Sequence, residues 1–530
     1  MRRFILILFI LFFLTPGFAA GSKAWWVYFS DKQGSSFDPY SFFSEGAIAR
    51  REKIGVSLYD VSDFPVSPAY LNQVSALVDT MGYASRWMNA VSVVATEDEI
   101  ALVRALPFVA DVQLQRGFDW SCASVTQDTK ETDETPSLPQ ISRMQGDSFA
   151  YHHITGKGIT IAILDAGFWG TNTHESFTQL FYENRIKQTR NFLHGDSIIY
   201  DEKSDHGTMV LSCIAGAGTY QARNMGMAMG ANFMLGIISK EYGNQYRAEE
   251  RYIAGVEWAD QYGANIINIS GGPNENSYFA EDMDGHTPVI SFACKIAARK
   301  GILVVAAAGN NGDHTERQLL PPAETDSVLS VTAMGDSGYV ADYSSVGPPP
   351  DFRRKPDICA PGSVFVAAHD RKGDEYADSD GTSFSAPLVA GFAACLMELY
   401  PDITAIGTID SLRKCAHLYP YYDYAHGYGV PQAGYFFRKE RANVEAAFTF
   451  VRSESGMRIQ MNSGADTLTS GISTRLLLWN LTDSTGRIVE YNVIEVNSPY
   501  PVEVKFADYE HHEAYKMCVW YNGYYAETDF

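Results

Sequence analysis

Short apolar strands alternate with helical segments from about Gly156 onward, and this alternation restricts the fold more than any other feature of the sequence. The helical patterns are RYIAGVEWADQYG and VISFACKIAARKG, and the strand-like runs are GITIAIL, NFMLGIIS, NIINIS, ILVVAAAG and VLSVTAMG. Near-continuous apolar strands that alternate with helices are typical of a parallel sheet covered on both faces. We therefore predict a doubly wound α/β core, with its functional residues beyond the carboxyl ends of the strands.

A second, smaller domain is predicted before this core. A strand, WWVYFS, is followed by a helical pattern, two strand-like runs around RWMNAVSVVAT, another helical pattern and a last strand, VADVQLQ. The order is β-α-β-β-α-β. The next stretch, SVTQDTKETDETPSLPQ, is polar and acidic and contains proline, so we expect an exposed linker that is open to cleavage. The domain and its linker together occupy residues 21–135.

The N-terminal residues 1–20, MRRFILILFILFFLTPGFAA, have the pattern of a secretory signal peptide. Two arginines precede an apolar run, which ends at a Thr-Pro-Gly break and two small residues. The apolar run is shorter than the roughly 20 residues that span a bilayer, and no later segment is long and apolar enough. We expect a secreted or cell-surface protein without a transmembrane segment in its mature chain.

The C-terminal residues 451–530 change in pattern after a helix that is predicted to end near Phe450. Apolar and polar residues alternate through TRLLLWNLTDSTGRIVEYNVIEV, PVEVKFADYE and YKMCVWYNGYYAETDF, which predicts a small β-sandwich. The run LWNLTDSTGRIVE and the tyrosine-rich ending are weakly similar to C-terminal sorting domains of type IX secretion, although a basic tail is lacking. A contact with secretion machinery and a plain accessory domain both stay open as interpretations.

Charge and cysteine spacing exclude several other classes of protein. The net charge is -22 and no basic patch is visible, which argues against a nucleic-acid partner. The seven cysteines form no Cys-x-x-Cys pair, so a zinc ribbon or a thioredoxin-like site is disfavoured. Cys213, Cys294 and Cys395 fall among apolar neighbours in predicted helices, and we expect these three thiols to be buried and unpaired.

Three polar residues stand where predicted strands end or helices begin. Asp165 ends a strand in ILDAG, His206 opens a helical pattern in SDHGTMVLSCIAG, and Ser383 begins a helix in DGTSFSAP. Pro387 is tolerable only near a helix start, so it locates the start of the last of these helices. The carboxyl ends of parallel strands meet at one edge of a sheet, which brings the three residues into one cleft.

These residue types form a complete set for nucleophilic catalysis. Gly381 lets the backbone approach closely, and a helix start offers free N–H groups where a negative oxygen would form. A serine hydroxyl at this point needs a base such as His206, whose ring is oriented by a carboxylate such as Asp165. Asn310, at the end of the strand ILVVAAAG, would donate its amide to the oxyanion.

Four motifs of the chain resemble those of the subtilisin-like serine proteases, the subtilases. They are Asp-Ala-Gly at 165–167, His-Gly-Thr at 206–208, Ala-Ala-Gly-Asn at 307–310 and Gly-Thr-Ser-Phe-Ser-Ala-Pro at 381–387, in the family's chain order. The resemblance covers residues 136–450 and implies serine endopeptidase activity on polypeptides. It implies that Asp165, His206 and Ser383 are the triad and that Asn310 lies in the oxyanion hole.

The resemblance has further implications for the precursor and for substrate binding. Residues 25 to about 115 are similar to the family's ferredoxin-like propeptide, which implies an intramolecular inhibitor and chaperone that is cut off in the linker. Ser270, Gly271 and Gly272 stand where the family usually has Ser-Leu-Gly, so backbone pairing with substrate is implied but no side-chain preference. No cofactor is implied. Family members often bind structural calcium, and the sequence gives no place for it.

Other interpretations weigh less than the joint pattern. A catalytically silent binding module would lack a triad member, and none is absent. An ester hydrolase would have Gly-x-Ser-x-Gly, which does not occur around Ser383. GDSGY at Gly335–Tyr339 is similar to a chymotrypsin-like motif but is predicted to be a turn. The pairs His152-His153 and His511-His512 lack metal-site spacing and are predicted to be surface. The stretch Asp282–Gly285 faintly resembles the opening of a calcium loop but has no later glutamate at the right position.

Overall fold

The computed structural model contains two compact units. One unit contains residues up to Phe37 together with Val61–Gln115, and the other contains Asp38–Asp60 and Arg116–Phe530. The structure describes residues 21–117, 120–121, 125–127, 138–218, 223–240, 247–273, 277–314, 317–370, 373–438, 444–462, 475–496, 501–506, 509 and 515–530. The predicted signal peptide and His511-His512 lie outside these ranges.

The first unit has the predicted ferredoxin-like β-α-β-β-α-β order. Its four strands form one antiparallel sheet in the order second, third, first, fourth. A capping box in which Thr96 and Glu99 bond each other's backbone begins the second helix. The strands are Lys23–Phe29, Thr80–Ser85, Ala90–Ala95 and Val109–Leu114, and the helices are Pro68–Ser75 and Glu97–Arg104.

The larger unit is built on a seven-stranded parallel sheet, which confirms the predicted doubly wound core. All side chains of the three central strands are buried or nearly so, as their apolar runs require. The two edge strands were not predicted. Polar residues interrupt Ile186–Asn191, and Ile358–Pro361 is short. In spatial order the strands are Ile358–Pro361, Val328–Met334, Leu303–Ala307, Ile266–Ile269, Thr160–Asp165, Asn232–Ile237 and Ile186–Asn191.

Helices cover this sheet, and the longest of them lies in the core. Thr382–Leu399 is the helix of the described residues that is long and apolar enough to cross a membrane, but 89% of it is buried inside the protein. It is therefore a core helix, and Pro387 lies near its start as predicted. The other helices of this part are Pro139–Ser142, Asp147–Tyr151, Thr178–Tyr182, His206–Ala215, Ala248–Gln261, Val289–Arg299 and Ala405–Cys415.

The three thiols expected to be buried and unpaired are so. Cys213, Cys294 and Cys395 lie in helices and are free and buried. Burial raises the pKa of each thiol far above its usual range, so these groups are protonated at neutral pH and behave as small apolar side chains.

A short helical segment that was not predicted belongs to the larger unit although it interrupts the smaller one in sequence. It consists of the helices Pro39–Phe42 and Glu45–Ile54. Ser44 caps the start of the second helix, and Gly55 ends it in the left-handed conformation that glycine adopts without strain.

The stretch predicted to be an exposed linker has secondary structure at both of its ends. Residues Val125–Gln127 form a strand that pairs with the hairpin strand Gly373–Asp380. Pro139–Ser142 is a helix in which Gln140 is buried, donating to the carbonyl oxygens of two distant residues. Backbone pairing needs no apolar side chains, which is why composition alone did not show this strand.

The C-terminal region has the predicted two antiparallel sheets with one shared core. Ile459 of one sheet and Trp479 of the other belong to that core. The helix predicted to end near Phe450 is wrong, because the chain there forms a strand that crosses the expected domain boundary. The strands are Phe448–Arg452, Gly456–Met461, Leu476–Thr482, Ile488–Glu495, Val502–Lys505, Lys516–Tyr521 and Tyr524–Asp529.

Candidate active site

Asp165 and His206 meet at the carboxyl edge of the parallel sheet. Asp165 is the last residue of its strand, and His206 is the first residue of the helix His206–Ala215. The Nδ1 atom of His206 lies 2.7 Å from Oδ1 of Asp165, and both side chains are buried. The same carboxylate oxygen accepts the N–H of Ala166 at 2.7 Å. A carboxylate held in this way fixes the orientation of the imidazole and stabilises its protonated form.

Two glycines allow this meeting because the backbones around them touch. The N–H of Gly207 donates to the carbonyl oxygen of Gly167 at 2.8 Å. A Cβ on Gly207 would lie 2.5 Å from that same oxygen, and a Cβ on Gly167 would lie 2.6 Å from the carbonyl oxygen of Ser204. The glycine in each motif is therefore required by the close approach that brings the acid to the histidine.

Ser383 is the second residue of the core helix and faces the same edge. Its hydroxyl donates to the carbonyl oxygen of Ser270 at 2.6 Å. The next residue, Phe384, has its ring centroid 6.0 Å from that of His206, which places the helix start beside the histidine. Gly381, just before the helix, has a φ of +155°, a backbone angle that other residues rarely adopt.

Asn310 is tied to the residue that precedes Ser383. Its Oδ1 accepts the backbone N–H of Thr382 at 3.0 Å and the Thr382 hydroxyl at 2.9 Å. These two donors fix the orientation of the Asn310 amide, with Oδ1 toward Thr382 and Nδ2 as the end that donates. The neighbouring Gly309 N–H bonds the Thr382 hydroxyl at 3.2 Å. The contact of Thr382 with Asn310 was not predicted from the sequence. The position of Thr382 next to Ser383 is the feature that could have indicated it.

The predicted substrate strand is paired with another part of the same chain. Gly272 and Pro273 pair antiparallel with Ser121 and Trp120, respectively. A Cβ on Gly272 would lie 2.5 Å from the carbonyl oxygen of Pro321, so a side chain would push this strand out of place. Ser270 and Gly271 directly precede this strand, and the carbonyl oxygen of Ser270 accepts the Ser383 hydroxyl.

A second pairing lies on the other side of Ser383. Residues Val125–Gln127 pair antiparallel with Asp378–Asp380, which end only three residues before Ser383. The chain from Trp120 to Gln127 is thus bound by backbone on both sides of the candidate nucleophile. The arrangement can hold an extended polypeptide across Ser383 without reading its side chains.

The predicted turn at Gly335–Tyr339 and the predicted surface position of His152-His153 are confirmed. The stretch around Gly335 is a turn closed by two hydrogen bonds. The N–H of Gly338 donates to the carbonyl oxygen of Gly335, and the N–H of Gly335 donates to the carbonyl oxygen of Tyr339. Asp284 accepts the N–H groups of His286 and Thr287, which makes it a local turn cap. Within the described ranges no group of three or more His, Cys, Asp or Glu side chains could hold a metal ion.

Comparison with known proteins gives two family matches along the chain. Residues 156–429 match the subtilase family of S8 peptidases. Residues 24–134 match the S8 peptidase propeptide domain of Bacteroidota. The first match includes the positions of Asp165, His206, Asn310 and Ser383, and the second ends inside the stretch that follows the paired residues 125–127.

Individual relatives are similar over the same region. Serine protease AprX of Bacillus subtilis is 30% identical over 278 residues, which are 47% of this chain and 59% of AprX. Subtilisin DY of Bacillus licheniformis is 27% identical over 279 residues, which are 52% of this chain and 90% of that protein. Subtilisin NAT of Bacillus subtilis subsp. natto is 28% identical over 307 residues, 56% of this chain and 71% of the relative.

Proposed function

Because the chain belongs to the subtilase family of serine-type endopeptidases and carries the family's propeptide domain, we propose how this precursor performs and controls that activity. Asp165, His206 and Ser383 act as the triad, and Asn310 stabilises the oxyanion. The enzyme hydrolyses polypeptides through an acyl-enzyme and first cuts its own chain between Ser121 and Val125. Export follows from the predicted signal peptide, and residues 451–530 serve as an accessory or sorting domain.

In the first half of the reaction, the Ser383 hydroxyl oxygen attacks the carbonyl carbon of the bound peptide while Nε2 of His206 takes the hydroxyl proton. The negative oxygen that forms is stabilised by the Asn310 amide and by the N–H groups at the start of the core helix. The C–N bond then breaks, His206 gives its proton to the leaving amine, and an ester on Ser383 remains.

In the second half, a water molecule attacks the ester carbon while His206 takes a proton from it. The tetrahedral intermediate collapses, the C–O bond to Ser383 breaks, and His206 returns the proton to the serine oxygen. Asp165 stays ionised throughout and stabilises the imidazolium that forms twice. These steps use protein groups and water alone, so we propose that catalysis requires no cofactor.

The observation that supports self-cutting is the pairing of one continuous stretch of chain on both sides of Ser383. On one side Ser121 pairs with Gly272, and on the other Val125 pairs with Asp380. Antiparallel pairing with a strand on each side is how an extended peptide is held by backbone hydrogen bonds. A chain bound in this way across a nucleophile is a substrate in position, and until it leaves it also blocks the cleft.

The two pairings also predict which bond is cut. Residues 122–124 lie outside the described ranges, so the bond is found by counting along both registers from the paired residues. Extended by two residues, the first register sets Ala123 opposite Ser270, whose carbonyl oxygen is 2.6 Å from the Ser383 hydroxyl. The second register, extended by two residues in the same way, sets Ala123 opposite Thr382. Both registers therefore predict that the bond after Ala123, Ala123–Ser124, is the one that is cut.

The test is to express the chain from residue 21, with and without Ser383→Ala, and to follow both by denaturing gel and casein hydrolysis. We expect the wild type to be cut into two pieces and then to digest casein, while the Ser383→Ala chain stays whole and inactive. A folded wild type that stays whole, and is inactive even after the linker is cut by an added protease, would overturn the proposal in favour of a binding module.

A further inference from the structure

Two arginines of the helix Glu45–Ile54 are buried against the core of the larger unit. Arg51 is 0% exposed and Arg50 is 5% exposed, and both bind Asp260, which is 1% exposed. The Nη1 and Nη2 atoms of Arg51 lie 3.0 and 2.6 Å from the two carboxylate oxygens of Asp260. Nη2 of Arg50 lies 2.5 Å from Oδ1 of the same carboxylate. Two guanidinium groups therefore share one carboxylate in a site shielded from water.

Arg50 also caps the ends of two helices. It donates to the carbonyl oxygens of Asp260 at 3.2 Å and Ala264 at 2.5 Å, at the end of the helix Ala248–Gln261. Its Nε donates to the carbonyl oxygen of Lys300 at 3.1 Å, at the end of Val289–Arg299. Helix C-termini expose unpaired carbonyl oxygens and carry partial negative charge, so a guanidinium group is the side chain best suited to bind both.

Neighbouring contacts continue this interface along the same helix. Lys53 donates to the carbonyl oxygens of Pro401 at 2.5 Å and Ile403 at 2.9 Å. The backbone N–H of Ser44 donates to the carbonyl oxygen of Gln261 at 3.0 Å. The ring of Phe43 lies beneath the Arg51 guanidinium group, 3.8 Å away. Side-chain and backbone hydrogen bonds thus join the segment to one surface, and the Phe43 ring packs on Arg51 from within the segment.

This interface lies at the edge of the sheet opposite to the active site. The helix ends that Arg50 binds lead into the amino ends of the strands Ile266–Ile269 and Leu303–Ala307. The carboxyl ends of those two strands lead to Ser270 and Asn310. An element bound at the amino edge does not itself occupy the cleft. Its contribution to holding the precursor segment is therefore separate from that of the residues paired in the cleft.

We propose that residues 38–60 are a second holding element, which keeps the cut precursor segment on the enzyme after the bond near Ser383 is broken. The proposal rests on the self-cutting proposed above. Cleavage between Ser121 and Val125 leaves residues 38–60 on the N-terminal piece, while Asp260 and the two helix ends stay on the enzyme. Cutting alone then does not give active enzyme, because the N-terminal piece stays bound. Active enzyme forms when residues 38–60 are released and the piece leaves.

The experiment separates cutting from release in the full chain from residue 21. A denaturing gel follows cutting, and size-exclusion chromatography with a peptide substrate follows release of the N-terminal piece. For Arg51→Ala we expect cutting within about threefold of wild type and release on the order of 100-fold faster, because the change removes the two Arg51 hydrogen bonds to the buried Asp260 carboxylate and leaves Arg50 as its remaining guanidinium partner. Glu52→Ala, an exposed change on the same helix, is the matched control and should release at the wild-type rate.

A second variant guards against a folding defect in Arg51→Ala. Lys53 is an exposed side chain, so Lys53→Ala preserves folding and removes only the two bonds to Pro401 and Ile403. We expect it to release the piece on the order of tenfold faster than wild type. Asp260→Asn, on the enzyme side, should release at least as fast as Lys53→Ala.

The outcomes distinguish this proposal from the one on which it rests. If wild type is never cut, self-cutting fails; the linker is then cut by an added protease and release is compared in the same way. If the pieces separate at one rate in wild type, Lys53→Ala, Asp260→Asn and Arg51→Ala, residues 38–60 are not a holding element. Faster release in the three variants, with the Glu52→Ala control unchanged, supports it.

Discussion

The N-terminal part of the chain is bound to the catalytic core in two places by different kinds of contact. In the cleft, residues 120–121 and 125–127 pair by backbone with the strands on either side of Ser383. At the opposite sheet edge, Arg50 and Arg51 bind a buried carboxylate and helix ends through their side chains. Backbone pairing accepts almost any sequence, whereas the guanidinium contacts require these residues at these positions.

The difference matches two different tasks. A cleft that hydrolyses polypeptides is served by contacts that every peptide can make. A holding element must recognise one partner, and buried charge pairs do so because they cost free energy whenever one partner is missing. Changes in the cleft should therefore alter turnover, and changes at the helix ends should alter release.

The largest effect is expected from Asp165→Asn. The amide cannot stabilise the imidazolium and favours the wrong tautomer of His206, so kcat should fall about 10⁴-fold with the fold intact. The measurement is kcat on a chromogenic peptide, with circular dichroism as the check on folding. A fall of less than about tenfold would show that Asp165 does not act through His206.

Asn310→Ala should lower kcat by about 100- to 1000-fold with little change in KM, because its amide bonds the oxyanion and not the substrate; that range was measured on subtilisin itself. Asn311→Ala is the matched control one residue away and should leave kcat within about threefold of wild type. Equal losses in the two variants would mean that the loop, and not the Asn310 amide, is what the reaction needs.

Gly272→Ala tests the backbone pairing directly. The new Cβ would lie 2.5 Å from the carbonyl oxygen of Pro321, so the strand must shift from its position. We expect self-cutting and kcat/KM on peptides to fall on the order of tenfold. Gly335→Ala, whose Cβ has its nearest contact at 3.6 Å, should change neither rate.

The smallest effect is expected from salt. The pairs between Asp260 and the two arginines are buried, and buried pairs are screened much less than exposed ones. Raising the ionic strength from about 0.1 M to about 1 M should change the release rate of the cut piece less than threefold. A release rate that rises more than tenfold would indicate that the hold depends on exposed charges such as Lys53 instead.

The core sheet and the residues of the candidate site could be predicted because each carries a local signal. Asp165 ends an apolar run, Pro387 limits where its helix can start, and the glycines after Asp165 and His206 are required by direct backbone contact. Such signals lie within a few residues of the feature that they mark. Side-chain and backbone constraints of short range are what a single sequence records well.

The parts that escaped prediction depend on distant partners. Arg50 and Arg51 look like ordinary charges of an exposed helix, and the partners that make their burial favourable, Asp260 above all, lie more than 200 positions later. Val125–Gln127 carries no strand signal because the partner strand supplies the hydrogen bonds. The capping residues Ser44 and Gly55 were the local signal from which the helix between them could have been found.

The central claim is that the chain on either side of residues 122–124 lies in the cleft as the enzyme's first substrate. The most direct test is to sequence the new N-terminus, and weigh both pieces by mass spectrometry, after the wild-type chain from residue 21 has cut itself in a dilution series. The account predicts one C-terminal piece beginning at Ser124, formed at a rate independent of protein concentration. A first cut outside residues 121–125, or a rate proportional to concentration, would contradict it.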